Sequence, residues 1–322
     1  MSAQIAHLIR LSQTHSESLV ARTDFAVYCC VRNEAVRLPY FLEYYRSLGV
    51  KLFVFVDNDS DDGTTDLLLR QDDCVVFWSD QPYSESRCGI DWINQLLGEF
   101  EVRRWVLIVD ADELLVFPNI EHLSLQTLVT TLERQGVNAL PTFLLDMYGS
   151  GPLNEIQYSP GEPFLSVCPY FDRTGYTFAT TGVFKGLPVR GGPRQRLFWE
   201  GRRQVANPPF LAKTPLVKWG PGMSLEASTH VIRGVRPGCL SGVLLHFKML
   251  PDFVEAVSLE AKRKEHWENA GQYVAYRDIL YLDSGLDPMY SGSESYKNSR
   301  QLVELGLMRG DRELSDSQTG SE

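Results

Sequence analysis

Trp105-Val106-Leu107-Ile108-Val109-Asp110-Ala111-Asp112-Glu113 is an apolar, β-branched and aliphatic run that stops abruptly in three carboxylates. Such a run reads as a strand buried on both faces. In extended backbone, side chains alternate faces, so Asp110 and Asp112 are expected to point one way and Ala111 the other. Two carboxylates at the end of a buried strand suit a hard divalent cation, which completes its shell with water and substrate phosphates. Glu113 falls on the opposite face and reads as structural.

Upstream, the same alternation repeats. Phe25 to Val31 reads as a strand and is followed at once by Arg32-Asn33-Glu34. Leu38, Phe41, Leu42, Tyr45 and Leu48 recur at helical spacing, with Pro39 near the start and Gly49 just past the end. Leu52 to Val56 predicts a second strand, closing in Asp57-Asn58-Asp59-Ser60-Asp61-Asp62-Gly63-Thr64, and a helix follows around Asp66 to Arg70. Cys74 to Trp78 is a third strand, and Ile90, Ile93, Leu96, Leu97 and Phe100 mark another helix. Strand and helix alternating over short connections specify parallel strands joined by right-handed crossovers, a doubly wound α/β sheet. Ligands of such sheets bind beyond the carboxyl ends of the strands, where all three polar clusters fall.

Downstream, a helix is expected near Ser124 to Gln135 and a strand from Ala139 to Leu145, ending at Asp146. Residues 147–222 lose periodicity and read as a loop-rich region for substrate. Within it, Gly191-Gly192-Pro193-Arg194-Gln195-Arg196 reads as a basic turn able to close over an anion. Short strands return near Ser228 to Ile232 and Val243 to Phe247. The tail from Asp252 is helical, and residues after about Gly310 are polar enough to be disordered. Residues 1–24 form an N-terminal extension in which Ile5, Leu8, Ile9 and Leu11 suggest a short docking helix. Residues 25–250 are expected to be one catalytic domain, with a nucleotide-sugar half (25–120) and an acceptor half (121–250). Residues 251–310 form a helical tail.

Composition narrows the function classes. A net charge of -10 excludes a general nucleic-acid binder. No apolar run reaches membrane-spanning length, so no integral membrane segment is expected, which leaves room for peripheral membrane contact. Six cysteines, none in a C-x-x-C pair, read as buried thiols of a reducing compartment, hence a cytoplasmic protein.

As an ordered set, Val31-Arg32-Asn33-Glu34, Val56 to Thr64 and Trp105 to Leu115 resemble the GT-A fold glycosyltransferases, close to their family-2-like bacterial group. Leu244-Leu245-His246-Phe247-Lys248 resembles a late histidine segment of part of that superfamily. The resemblance covers roughly the first 120 residues. It implies a Rossmann-like, mainly parallel sheet with a loop-rich acceptor region and C-terminal helices. It also implies a nucleotide-diphosphate-sugar donor, UDP-sugar favoured, a saccharide or glycoconjugate acceptor, and Mn2+ or Mg2+ as cofactor. The product would belong to surface polysaccharide or glycoconjugate synthesis.

On that resemblance, Val31, Arg32, Asn33, Glu34, Asp57, Asn58, Arg87, Asp110, Ala111 and Lys248 would contact the donor. Asp110, Asp112 and His246 would serve the metal, and Arg194 and Arg196 the phosphates from a lid. Bland readings stand beside these. Asp57 is equally a turn-capping aspartate, Asn33 and Glu34 helix caps, and Arg32 and Arg87 solvated charges. His246, in an apolar run, is either a core residue or a ligand; His230 is a weaker candidate. An inverting reaction needs a base, for which Asp146 is the candidate and Glu155 and Glu226 the alternates. Two rivals remain: a degenerate nucleotide-sugar-binding protein, and a phosphatase using the first aspartate of D-x-D as nucleophile.

Overall fold

The computed structural model of the chain describes residues 7–12, 25–99, 103–202, 204, 206–283 and 285–310. In chain order, β1 is Ile9–Arg10 and β2 Phe25–Val31, followed by α1 (Leu38–Ser47), β3 (Phe53–Asp57), α2 (Thr64–Leu69) and β4 (Cys74–Trp78). Next come α3 (Ile90–Glu99), β5 (Trp105–Ile108), β6 (Glu113–Val116), α4 (Leu125–Arg134) and β7 (Ala139–Asp146). The region beyond holds α5 (Phe164–Val167), β8 (Tyr170–Asp172), β9 (Thr177–Phe178), β10 (Pro188–Arg190), α6 (Gly192–Phe198) and β11 (Ala212–Lys218). The chain closes with β12 (Ser224–Leu225), β13 (Ile232–Arg233), β14 (Val243–His246), α7 (Phe253–Arg263), α8 (Trp267–Leu282), β15 (Ser293–Ser295) and α9 (Ser299–Glu304). The fold is mixed α/β, built on a large and mainly parallel central sheet.

Two compact units share the chain. The first comprises Met1–Ala111, Ser124–Leu140 and Thr214–Pro237; the second Asp112–Leu123, Pro141–Lys213 and Gly238–Glu322. Each unit draws on three separate segments, with no break at residue 120.

In the first unit β4, β3, β2 and β5 pair in parallel, in that order. β1 adds antiparallel to β4, and the end of β11 antiparallel to β5. Ile9 and Arg10 thus extend a sheet edge, where a docking helix was expected; Ile5 and residues 311–322 lie outside the described residues. The crossover helix α1 forms because Leu38, Phe41, Leu42 and Tyr45 make one buried stripe. Pro39 sits in its first turn, where a missing N–H costs nothing. Gly49, at φ 93°, lets the chain leave the helix in the left-handed region. The core packs Tyr28, Val54 and Val56 against Trp92, Ile93 and Leu96 of α3.

In the second unit β7 and β14 run parallel, and β6 pairs antiparallel with β14. Phe198, Phe253 and Tyr276 anchor a separate aromatic core, with the Phe198 and Tyr276 ring centroids 4.8 Å apart. On α7, Glu260 lies 3.2 Å from Arg263 and 2.9 Å from His266. Burial would raise its carboxyl pKa, but these partners outweigh burial and bring it down to about 2. A depressed folded-state pKa gives stability that is present above the unfolded value and lost as pH falls through the folded one. Urea denaturation of wild type and Glu260→Gln should therefore differ by about 1 to 2 kcal/mol at pH 7 and converge towards pH 2. An equal difference at both pH values would show that the contacts, not the charge, matter.

Among the described residues, no helix is long and apolar enough to cross a membrane.

Candidate functional site

At the carboxyl ends of β2 and β3 the first unit ties two loops into one network. Asn33, at φ 56°, donates its backbone N–H to Ser60 Oγ (2.9 Å) and exchanges hydrogen bonds with Asp61. The amides of Glu34 and Ala35 reach Thr64 Oγ1 and Asp62 Oδ2, at 2.8 and 3.0 Å. Arg32 donates to the Asn58 carbonyl and lies 3.8 Å from Asp59. Val31 is buried, and its carbonyl accepts from Asn58 N at 2.9 Å.

Two of the residues expected to contact the donor are engaged within this network. Asp57 is fully buried; Oδ1 accepts from Ser60 N and Oγ, and Oδ2 from Thr65 Oγ1. It ties its own turn to the start of α2. Asn58, 3% exposed, donates to the Ser79 and Gln81 carbonyls and anchors the exit of β4. The more exposed groups are Asn33, Asp59 and Asp61 on the rim. Arg87 is engaged by Asp91 at 3.0 Å and by the Glu226 carbonyl at 2.8 Å.

The pivotal strand also differs from expectation. β5 stops at Ile108, Asp110 is half-buried, and Ala111 and Asp112 turn before β6 begins at Glu113. Strand alternation therefore does not orient Asp110, Asp112 and Glu113; the turn does.

The second unit builds a charged cluster from residues far apart in sequence. β7 and β14 are parallel and in register, placing Asp146 opposite His246 at their ends. Asp146 Oδ1 lies 2.6 Å from His246 Nδ1, and Asp146 Oδ2 accepts from Arg194 Nε at 2.7 Å. Asp112 Oδ2 stands 3.4 Å from the other ring nitrogen, Nε2, and the Asp112 carbonyl accepts from Phe247 N at 2.8 Å. His246 is 6% exposed and Asp146 1%. Burial pushes the Asp146 carboxyl up, but the Arg194 guanidinium and the His246 hydrogen bond outweigh it, and its pKa falls. Burial would lower the His246 pKa; Asp112 and the hydrogen bonds to both carboxylates raise it overall.

Asp146, the expected general base, has both oxygens engaged, a depressed pKa and no solvent contact, and in this arrangement it orients His246 and balances Arg194. Of the alternates, Glu155 is exposed, and Glu226, also exposed, pairs with Arg233 at 3.1 Å.

Arg194 and Arg196, expected over phosphates, are both ion-paired within the second unit. Both sit on α6, and Arg196 grips Asp172 with two hydrogen bonds of 2.9 Å. Two buried carboxylates need cations, and the helix supplies one to each. Lys248 lies beyond the end of β14 and donates to Tyr273 Oη at 2.7 Å. Burial would depress its pKa, yet Tyr273 and Asp112 raise it. Sequence reasoning missed Lys213, fully buried on β11 and 2.9 and 2.7 Å from the two carboxylate oxygens of Glu113. Its only sequence signal is a lysine inside the apolar run Leu211 to Val217.

Among the described residues, no group of three or more His, Cys, Asp or Glu side chains is arranged to hold a metal ion. Asp112 and His246 nonetheless form a two-donor set suited to a cation that takes its remaining ligands from water and phosphate. Asp146 on Nδ1 fixes the ring so that Nε2 faces Asp112, and a carboxylate on one ring nitrogen is a recurring support for ligating histidines.

In comparisons with known proteins, no family model matches the chain and no curated protein matches it.

Proposed function

We propose that this chain is a GT-A fold glycosyltransferase, moving a sugar from a nucleotide-diphosphate donor, UDP-sugar favoured, to a hydroxyl of a saccharide or glycoconjugate. The carrying observation is His246 held between Asp146 on Nδ1 and Asp112 beside Nε2. This pairing turns a lone histidine in an apolar run into an oriented donor next to the D-x-D acid.

In the reaction the acceptor hydroxyl oxygen bonds to the anomeric carbon as that carbon's bond to the phosphate oxygen breaks, and the hydroxyl proton passes to the departing diphosphate or to water. Negative charge develops on the departing diphosphate, and cationic groups stabilise it. Asp112 and His246 would hold a manganese or magnesium ion, which when bound supplies positive charge to the diphosphate. Asp146 keeps the His246 ring in one tautomer and orientation, and Arg194 keeps Asp146 ionised. Lys248 adds a positive charge near Asp112.

The test is release of nucleoside diphosphate from a panel of sugar donors with manganese, with magnesium and with chelator. Release from one donor family, stimulated by metal, is the expected result. No release from any donor would remove the reading. Inorganic phosphate freed from simple phosphate esters would replace it with the phosphatase.

A further inference from the structure

In the second unit β9 and β10 form a small antiparallel hairpin, with Phe178 opposite Pro188. The Leu211 amide donates to the Val189 carbonyl at 3.0 Å, so Phe210 and Leu211 run along the other side of β10. Two strand spacings put the Phe178 and Phe210 backbones about 10 Å apart. Both side chains are exposed, at 44% and 41%. Half-buried Phe184, in the hairpin loop, meets Phe210 edge-on with ring centroids 6.0 Å apart. Three phenylalanines thus gather on one surface that packing leaves partly uncovered, and such patches mark contact with another molecule.

Charge is sorted on the same surface. Thr174 to Phe184 holds no charged residue, and no Asp or Glu occurs from Arg173 to Trp199, in a chain that carries 41 of them. At the base of the loop Arg309 Nη1 donates to the Lys185 carbonyl at 2.8 Å, which brings two cations together. Arg190, paired with Thr177 across the hairpin, donates to the Pro208 carbonyl. Among the described residues, no carboxylate pairs with Lys185, Arg190 or Arg309.

We propose that this hairpin docks the protein on an anionic lipid bilayer, with the phenylalanines at the headgroup boundary and Lys185, Arg190 and Arg309 against the negative headgroups. An uncharged aromatic loop enters that boundary without desolvating an ion, and cations at its base meet the negative potential of the leaflet. An acidic protein would answer the cations alone and give no reason for an uncharged loop. The net charge of -10 makes a negative surface repel the chain as a whole, so the one acid-free stretch sets which face approaches. The proposal stands apart from the transferase reading, since neither the histidine cluster nor the D-x-D turn enters it.

The experiment sediments the full chain with vesicles of phosphatidylcholine alone and of phosphatidylcholine mixed with phosphatidylserine. Binding to the anionic vesicles should be about 100-fold tighter, three cations at about fivefold each, and should fade as salt screens the surface. Lys185→Ala should weaken it about fivefold. Phe178→Ser combined with Phe210→Ser should weaken it about tenfold, with the melting temperature nearly unchanged because both positions are exposed. Tyr281→Ser, at an apolar position of α8 that is 89% exposed and outside the hairpin, should leave binding as it is. No preference for anionic vesicles, or a loss in Tyr281→Ser equal to that of the phenylalanine variant, would overturn the assignment. Binding to soluble polyglutamate but not to vesicles would also overturn it, in favour of an acidic protein partner.

Discussion

Asp112→Asn should lower metal-stimulated release of nucleoside diphosphate by about 100- to 1,000-fold, with the melting temperature nearly unchanged. The substitution preserves shape, and the Asp112 backbone carbonyl still accepts from Phe247 N, so the turn into β6 keeps its anchor. What is lost is the charge beside His246 Nε2. An amide oxygen is a much poorer ligand for a hard cation, and stabilising the charge of a leaving diphosphate accounts for several kcal/mol of barrier, at about 1.4 kcal/mol per factor of ten. The stimulation by manganese should disappear together with the rate. Two measurements check this: turnover as a function of manganese concentration, and thermal unfolding of the same sample. A variant that turns over at the wild-type rate in chelator would take Asp112 out of the site.

The parallel half of the sheet was legible because its signals are local. β2, β3 and β4 are apolar runs bounded by turn residues, and the stripe on α1 comes with both a proline at its start and a glycine past its end. Each of these features is decided within ten residues, where periodicity is informative. The D-x-D turn was located correctly but misread in shape. Nine apolar and acidic residues in a row, Trp105 to Glu113, look extended, and only the start of a new strand at Glu113 reveals that the chain has already turned.

The second unit was less legible because its determinants are pairings over long sequence separations. Arg194 meets Asp146 across 48 positions, and His246 meets Asp146 across 100. From sequence, Arg194 and Arg196 look like cations awaiting an anionic ligand. In the fold, the buried carboxylates of Asp146 and Asp172 are the anions they neutralise. The same blindness hid α6 inside a glycine- and proline-rich stretch, because its stability comes from those ion pairs and from Phe198 in the aromatic core, not from helical periodicity. Asp57 is a local case: its strand-end position resembles a ligand contact, while Ser60 of its own loop and Thr65 in the first turn of α2 engage both oxygens.

Lys213→Met should cost about 3 to 5 kcal/mol of stability, the usual penalty for stranding one member of a buried ion pair. Lys213 is 0% exposed and Glu113 1%, and the ammonium bridges both carboxylate oxygens. Methionine fills most of the lysine stem's volume, so packing contributes little to the loss. The deserted Glu113 carboxylate has no solvent to retreat to, and its pKa in the variant should rise above the unfolded value of about 4.3. A raised folded-state pKa gives stability that is fully present below the unfolded value and lost as pH rises through the folded one. Lys213→Met should therefore be closer to wild type at pH 4 to 5 than at pH 8. Combining it with Glu113→Leu removes the stranded charge and should recover most of the loss, since an apolar pair in place of a buried ionic one is often neutral or better. Urea denaturation of wild type, both single variants and the double variant at two pH values completes the cycle. A loss below about 1 kcal/mol in Lys213→Met would mean that the pair is not sealed from water. The double variant also carries a functional readout. Glu113 directly follows Asp112, so a stable double variant with impaired metal-stimulated turnover would assign the ion pair the task of fixing the turn that aims Asp112 at His246.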